Sequence, residues 1–280
     1  MKLFDFPEAQ HFCMPLTAYQ PGAGQSLSGF HQGLPKRTVL LQEGTTDFNV
    51  HRVSLLNAIE RWILFGVADY RRSMDMFIPS NAPWAHVTLY YASFFGANAI
   101  LGMFGGWLDH ERMVDVAQGT PGTQTLRVSR RLHSPSGYRG GSHKIFWDNF
   151  YEGCNQAIAP WVPTELAAAI APVNGDRTWQ TTARNIVNYD MHGAYSGANF
   201  LSGNFNPKKL RLLAGELGQQ REVTERMLKL AIYFAGVFKI HSYAYEGLGA
   251  GARAKVFREL VSKKAPQLVE QSEFRDLMFR

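Results

Sequence analysis

The amino-acid sequence predicts a mainly α-helical protein, and three observations predict it. Apolar residues recur at helical spacing over most of the chain, whereas β-branched residues between turn signals concentrate in residues 111–145. Apolar residues make up 45% of the chain and charged residues 19%, as in globular proteins with a sizeable core. A length of 280 residues suits one elaborated domain or two closely packed ones. We therefore expect a mainly helical fold with a small β-hairpin insert.

Residues 1–45 contain scattered proline and glycine and show no sustained period. They predict an extended N-terminal arm, or a few short strands, packed on the body. The pattern changes at Thr46, where Asp47 can cap a helix. Apolar residues then follow at helical spacing as far as about Met74, namely Val50, Val53, Leu56, Ile59, Ile63 and Val67.

A second helix is predicted after Pro79, with Pro83 in the first turn, where the missing N–H does no harm. Gly105 and Gly106 are expected to end it. Both sides of this helix are apolar or small, which indicates a central position in the bundle. The stretch from Met76 to Leu108 has no Asp, Glu, Lys or Arg and is long enough to span a membrane, but its prolines and polar interruptions favour a buried helix over a span.

Residues 111–145 predict a hairpin around the turn Gly119–Gly122, followed by a loop rich in Ser, Pro and Gly. The insert is basic, with no acidic residue between Val116 and Trp147. Guanidinium groups pair with phosphates and aromatic rings stack on bases, so RNA contact is one interpretation, and a solvated hairpin with a chance run of charge is the other. The candidate nucleic-acid-binding residues are Arg127, Arg130, Arg131, Arg139 and Lys144, interleaved with His133, Tyr138 and His143.

The rest of the chain predicts further helices separated by proline-rich, glycine-rich or polar segments. Helices are expected at residues 145–152, 163–170, about 176–191, 207–217 and 222–245, with a loop at 193–206 and two shorter helices after the glycine-rich segment 247–251. The predicted organisation is an arm over residues 1–45, a helical domain over 46–245 that contains the insert, and a C-terminal helical extension over 246–280.

The composition indicates a basic protein of a reducing compartment. A formal charge of +6 and a pI near 9.3 favour an anionic partner such as nucleic acid. Cys13 and Cys154 lie far apart without a C-x-x-C partner, so neither a disulfide framework nor a zinc site is implied. Asp5 and Glu8 precede any long apolar run, so a secretory signal is not expected and the cytoplasm is the predicted location. No H-E-x-x-H pattern occurs, and we expect no metal or cofactor.

The most informative segment is RNIVNYDMHG, residues 184–193. On a helix, Asn185, Asn188, Tyr189 and His192 share one stripe, and Arg184 lies beside it. An arginine can hold the scissile phosphate of RNA, while a histidine removes the 2′-hydroxyl proton or protonates the leaving oxygen. The alternative is that the stripe only satisfies hydrogen bonds in a crowded core or a dimer contact.

Two segments resemble HEPN-domain proteins, the higher eukaryote and prokaryote nucleotide-binding superfamily. The segment AHVTLYYASFFGANAILGMFG, Ala85–Gly105, is similar to their Tyr-Tyr-Ala central helix. The later segment RNIVNYDMHG is similar to their helix with an Arg-polar motif and a following histidine, and the order of the two helices agrees. SHKIFWDNFY resembles connecting segments of larger HEPN-like proteins, so the resemblance covers about residues 50–245.

The resemblance implies a helical bundle that forms a homodimer and acts as a metal-independent endoribonuclease of a toxin–antitoxin or anti-phage defence system. The implied catalytic residues are Arg184 and His192, supported by Asn185 and Tyr189. His192 stands further from Arg184 than the family's motif places its histidine, which leaves open a non-catalytic module that binds nucleic acid, nucleotide or a partner protein. Expected partners are therefore RNA, a second copy of the chain, and a cognate antitoxin or defence protein.

Overall fold

The computed structural model describes residues 1–14, 26–76, 82–130, 134–137, 141–185, 207–240, 255, 259–263 and 266–268. The protein is mainly helical with a small antiparallel sheet, as the sequence predicts. The helices are α1 (Phe6–Cys13), α2 (Leu27–Gly33), α3 (Thr46–Asp75), α4 (Ala82–Met103), α5 (Ser142–Gly153), α6 (Trp179–Asn185) and α7 (Pro207–Val237). The strands are β1 (Val39–Gln42), β2 (Trp107–Leu108), β3 (Met113–Gln118) and β4 (Thr125–Ser129).

The centre of the bundle is α4, which packs against both α3 and α7. The helices approach closely because glycines lie at the crossings. A Cβ on Gly66 would lie 2.6 Å from Leu228 Cδ2, and one on Gly102 would lie 2.8 Å from Ile59 Cγ1. The predicted end of α4 is confirmed, since Gly105 follows it with a φ of +77° that favours glycine. Across the described ranges, the helices lack the combination of length and hydropathy that crossing a bilayer requires.

The predicted hairpin is formed by β3 and β4, and it belongs to a larger sheet of strand order β1-β4-β3-β2. Alternate residues of the hairpin face the core, because side chains one apart on a strand point to opposite faces. Cross-strand pairs Val114–Val128 and Val116–Leu126 are buried on the inner face. The sheet therefore shares its core with the bundle.

The N-terminal residues pack on the body but contain helices α1 and α2 as well as strand β1, so the expectation of an extended arm without helices is wrong for these parts. Helix α1 begins with a capping box in which Asp5 and Glu8 each accept a backbone N–H, and Pro7 occupies its first turn. This Asp-x-x-Glu spacing is visible in the sequence and indicates the start of a helix. Phe4, just before the helix, and Phe12, within it, are both fully buried.

The C-terminal end of α1 is held by Arg52 of α3, a buried guanidinium. Its Nε donates to the Phe12 carbonyl oxygen at 2.5 Å, and its Nη2 donates to those of His11 and Met14, both at 2.8 Å. The Phe12 and Met14 carbonyls are among the acceptors that a helix end leaves without internal partners, whereas the His11 carbonyl also accepts from the Met14 N–H. The positive charge also lies at the negative end of the α1 dipole.

We expect the Arg52→Ala variant to lose about 3 kcal/mol of unfolding free energy, because buried carbonyls lose charge-assisted hydrogen bonds. Urea unfolding followed by circular dichroism measures this loss. The matched control is Arg61→Ala on the same helix, since Arg61 is exposed and its Nε donates only to the Asn57 carbonyl. A similar loss in both variants would contradict the assigned role of Arg52.

Two other predicted elements differ in the structure. The predicted break between residues 217 and 222 is wrong, because α7 runs without interruption from Pro207 to Val237. Gly218 disfavours a helix by about 1 kcal/mol, but Gln220, two residues later, is buried and donates to Gln180 and Thr224. The segment predicted as a helix at 163–170 is a 3-10 helix over Thr164–Ala169. The predicted loop at 193–206 and the glycine-rich segment 247–251 lie outside the described residues.

Candidate functional site

The candidate site is built around Arg184, in the last turn of the short helix α6. Its guanidinium carbon lies 5.3 Å from the centre of the Tyr90 ring and 5.8 Å from that of Tyr91, both on α4. Tyrosine rings carry negative charge on their faces and attract a cation placed over them. Arg184 forms no ion pair with a described carboxylate, and its buried Nε has no hydrogen-bond partner. The cation is therefore held by rings and keeps its hydrogen-bonding capacity for an anion.

A histidine of α5 lies next to this cation. The Tyr90 hydroxyl oxygen is 2.7 Å from His143 Nδ1, and Trp147 Nε1 donates to the same oxygen at 3.3 Å. Burial raises the pKa of Tyr90, so its hydroxyl keeps its proton. The indole can only donate, so we assign the hydroxyl proton to the hydrogen bond with Nδ1, and with this assignment the neutral imidazole carries its own proton on Nε2.

The protonation state of His143 is set by burial and by the arginine. Burial lowers the pKa of His143, and the nearby positive charge of Arg184 lowers it further. Its imidazole is therefore neutral at pH 7. With Nδ1 engaged by Tyr90, the polar atom that His143 retains for a ligand is Nε2–H, a hydrogen-bond donor.

Beside these residues lies a cavity of about 400 Å³, here called the aromatic pocket. Its lining includes both Tyr91 and His143, so it is continuous with the surroundings of Arg184. The aromatic walls are Trp62, Tyr91, Phe94, Phe95, Trp107 and Phe146. The polar lining consists of Asn98, Asp109, His110, Ser142 and His143.

The predicted nucleic-acid contacts of the insert fall into different environments. Arg127 is committed to the sheet, because its Nε and Nη2 donate to the two carboxylate oxygens of Asp115 on the neighbouring strand, at 2.9 and 2.7 Å. Nucleic-acid contact by Arg127 stays a prediction, and a phosphate bound there would share the guanidinium with Asp115. The acidic partner was missed because it precedes the basic run and pairs with Arg127 across the strands. Arg130 is exposed and Lys144 is half-buried near His143, whereas Arg131 and Arg139 lie outside the described residues.

The loop of the insert is fixed to α5 by Asp148, a fully buried carboxylate. Asp148 accepts from the hydroxyls of Ser134 and Ser136, from the Ser136 backbone N–H at 2.8 Å, and from Arg177 Nη1 at 3.2 Å. Burial alone would raise the pKa of Asp148, but these hydrogen bonds outweigh it and lower the pKa. The carboxylate therefore remains charged and ties residues 134–137 to the helix that carries His143.

The predicted catalytic residues are only partly described. Arg184 lies at the site and Asn185 follows it, half-buried, whereas Tyr189 and His192 lie outside the described residues. Sequence reasoning missed the partnership of Arg184 with Tyr90, Tyr91 and His143. The Tyr-Tyr pair and the histidine were each visible in the sequence, but their meeting depends on how α4, α5 and α6 pack.

Metal and thiol chemistry have no assembled site in the described ranges. No three His, Cys, Asp or Glu side chains come together there as metal binding requires. Cys13 and Cys154 are both buried, and burial raises the pKa of each thiol. Both cysteines are therefore protonated and unreactive in the folded protein.

Comparison of the chain with models of protein families, with curated proteins and with solved structures found no match.

Proposed function

We propose that the protein binds RNA through Arg184 and cleaves it as a metal-independent endoribonuclease. The observation that supports this proposal is an arginine held over two tyrosine rings, without a described carboxylate partner, beside a neutral histidine. Such a cation is available for a phosphate, because no carboxylate among the described residues competes for it. The HEPN resemblance extends the proposal to a homodimer in a toxin–antitoxin or anti-phage system, with an antitoxin or defence protein as partner.

The proposed reaction is attack of the ribose 2′-oxygen on the adjacent phosphorus, with loss of the 5′-oxygen. A base removes the 2′-hydroxyl proton and an acid protonates the leaving oxygen, which yields a 2′,3′-cyclic phosphate and a 5′-hydroxyl. Arg184 stabilises the negative charge that builds on the phosphate. We assign proton abstraction to His192, supported by Asn185 and Tyr189. His143 Nε2–H donates a hydrogen bond to the bound strand.

The proposal predicts cleavage of single-stranded RNA in the presence of EDTA, with cyclic-phosphate ends. His192→Ala is expected to lower the rate about 10²- to 10⁴-fold, the usual contribution of a positioned acid or base. Arg71→Ala is the control, because Arg71 is exposed, pairs with Asp75 and does not line the aromatic pocket. Gel analysis of end-labelled RNA measures rates and end groups together. Equal rates for wild type, Arg184→Ala and His192→Ala would end the assignment.

A second candidate, a non-catalytic module that binds RNA, is favoured by the spacing of the motif. Seven residues separate His192 from Arg184, more than in the family's motif, and Tyr189 stands at the position of the closest-spaced histidine. This candidate predicts binding that weakens with salt through release of counterions, and it predicts no cleavage products. Cyclic-phosphate products that disappear in Arg184→Ala would decide for the enzyme.

A further inference from the structure

The aromatic pocket has walls suited to a flat ring. Six aromatic side chains line it, and its volume of about 400 Å³ exceeds that of one heteroaromatic ring. Stacking on aromatic side chains is the main source of affinity for unpaired bases, because every base has a π face. Trp62 and Tyr91 retain partial exposure to solvent, so a ring can reach them.

Two polar residues of the lining, Asn98 and His143, can supply one acceptor and one donor. Asn98 Nδ2 donates to the Phe94 carbonyl at 2.8 Å, which fixes the orientation of the amide and leaves Oδ1 as the acceptor. Oδ1 has no partner among the described residues. His143 contributes the donor, Nε2–H, for the reason given above.

The distribution of charge orients a ligand in the pocket. Among the described residues, the lining contains no lysine or arginine, and its one carboxylate is Asp109. Asp109 Oδ1 already accepts from the backbone N–H groups of Glu111 and Arg112, at 2.7 and 2.6 Å, so this carboxylate is fixed in place. A phosphate is repelled from such a lining. The cation Arg184 lies outside it, against the Tyr91 ring that also forms a wall.

We infer that the aromatic pocket binds one unpaired nucleobase with an amino group, adenine or cytosine, from the RNA strand whose phosphate lies at Arg184. The inference rests on the proposed function for the identity of that strand. On their Watson–Crick edges, adenine and cytosine both present an exocyclic amino donor beside a ring-nitrogen acceptor, which complements Asn98 Oδ1 and His143 Nε2–H. On the same edge, uracil and guanine present a carbonyl beside an N–H, which is the reverse pattern.

The test measures binding of free nucleosides to the full chain by ligand-observed NMR. Adenosine and cytidine are expected to bind at least about 10-fold more tightly than uridine, as for a matched pair of hydrogen bonds. Trp62→Ala is expected to weaken adenosine binding about 10-fold through loss of stacking. The matched control is Trp84→Ala, since Trp84 is 66% exposed and outside the pocket, and it should leave adenosine binding unchanged.

Asn98→Leu is the second variant. Leucine is close in size to asparagine and is also uncharged. It is expected to bind adenosine and uridine with equal affinity, because the acceptor is gone. Equal affinities of the three nucleosides for the wild type would overturn the inference. So would adenosine binding that neither Trp62→Ala nor Asn98→Leu changes.

The nucleotide 3′-AMP separates this inference from the proposed function. In wild type, 3′-AMP should bind more tightly than adenosine, and Arg184→Ala should remove that advantage while adenosine itself still binds. If adenosine binds in preference to uridine, and 3′-AMP still binds more tightly than adenosine in Arg184→Ala, the result supports the pocket and contradicts the role of Arg184. Loss of RNA cleavage in Arg184→Ala without any nucleoside preference in wild type contradicts the pocket alone.

Discussion

RNA cleavage by the Arg184→Ala variant is expected to be about 10²- to 10³-fold slower than by the wild type, with a similar fall in kcat/KM. The reason is that the guanidinium is the described cation best placed to meet charge developing on the phosphate. It lies against Tyr90 and Tyr91, and no described carboxylate shares it. A group in these surroundings acts more strongly than one in water, because little solvent screens it.

The fold should survive this substitution. Ring contacts of this kind contribute about 0.5–2 kcal/mol, so the urea midpoint of Arg184→Ala should move only slightly. Arg184→Lys keeps the charge but loses the planar fork that binds two phosphate oxygens, and it should recover only part of the rate. Arg71→Ala is the control, since Arg71 is exposed and its only contact among the described residues is an ion pair with Asp75. A wild-type rate in Arg184→Ala would remove this residue from the mechanism.

The elements that could be predicted from the sequence are those whose signals are local. Helix α3 shows an unbroken helical spacing, and α4 is bounded by Pro83 and Gly105, so both appear nearly where they were expected. The hairpin could be predicted from the turn Gly119–Gly122. The prediction divided helix α7 between residues 217 and 222, whereas the structure continues it through Gly218, where packing of Gln220 and its neighbours overrides the local preference of glycine.

The candidate site could be predicted only in part, because local sequence signals do not show which helices pack together. Arg184 was visible because it belongs to a short motif in one helix. Its surroundings are a property of packing, since Tyr90 and His143 belong to separate helices that meet only in the folded chain. The pairing of Arg127 with Asp115 depends likewise on strand register, which a count of charges along the sequence does not contain.

Acidification from pH 7.5 to pH 5 is expected to lower the free energy of unfolding by several kcal/mol, because three buried histidines resist protonation. Burial lowers the pKa of His31 to about 3 and that of His86 to about 4, and it lowers the pKa of His51 well below its ordinary value. His31 Nε2 lies 3.1 Å from His51 Nδ1, so a charge on one opposes a charge on the other. Arg112 adds a further positive charge near His31.

Stability falls on acidification because the unfolded chain binds these protons at a higher pH than the folded chain does. A histidine in the unfolded chain takes up a proton near pH 6.5, whereas the folded chain takes it up only near pH 4 or below. The stability contribution of the neutral rings is therefore complete above pH 6.5 and is lost as the pH falls toward the folded values. At pH 5 the loss is about 2 kcal/mol for each ring, from 1.4 kcal/mol per pH unit. Carboxylates with lowered pKa values, such as Asp148, add to the loss only at lower pH.

The His86→Leu variant isolates one of these rings. His86 is fully buried and neither ring nitrogen has a hydrogen-bond partner, so replacing it by an apolar residue should be neutral or stabilising at pH 7.5. At pH 5 the variant should retain about 2 kcal/mol that the wild type loses. Urea unfolding at both pH values measures the difference, and His110→Gln, at an exposed position, should follow the wild type. If His86→Leu and wild type lose the same free energy on acidification, the histidine in α4 does not contribute to the acid sensitivity of the fold.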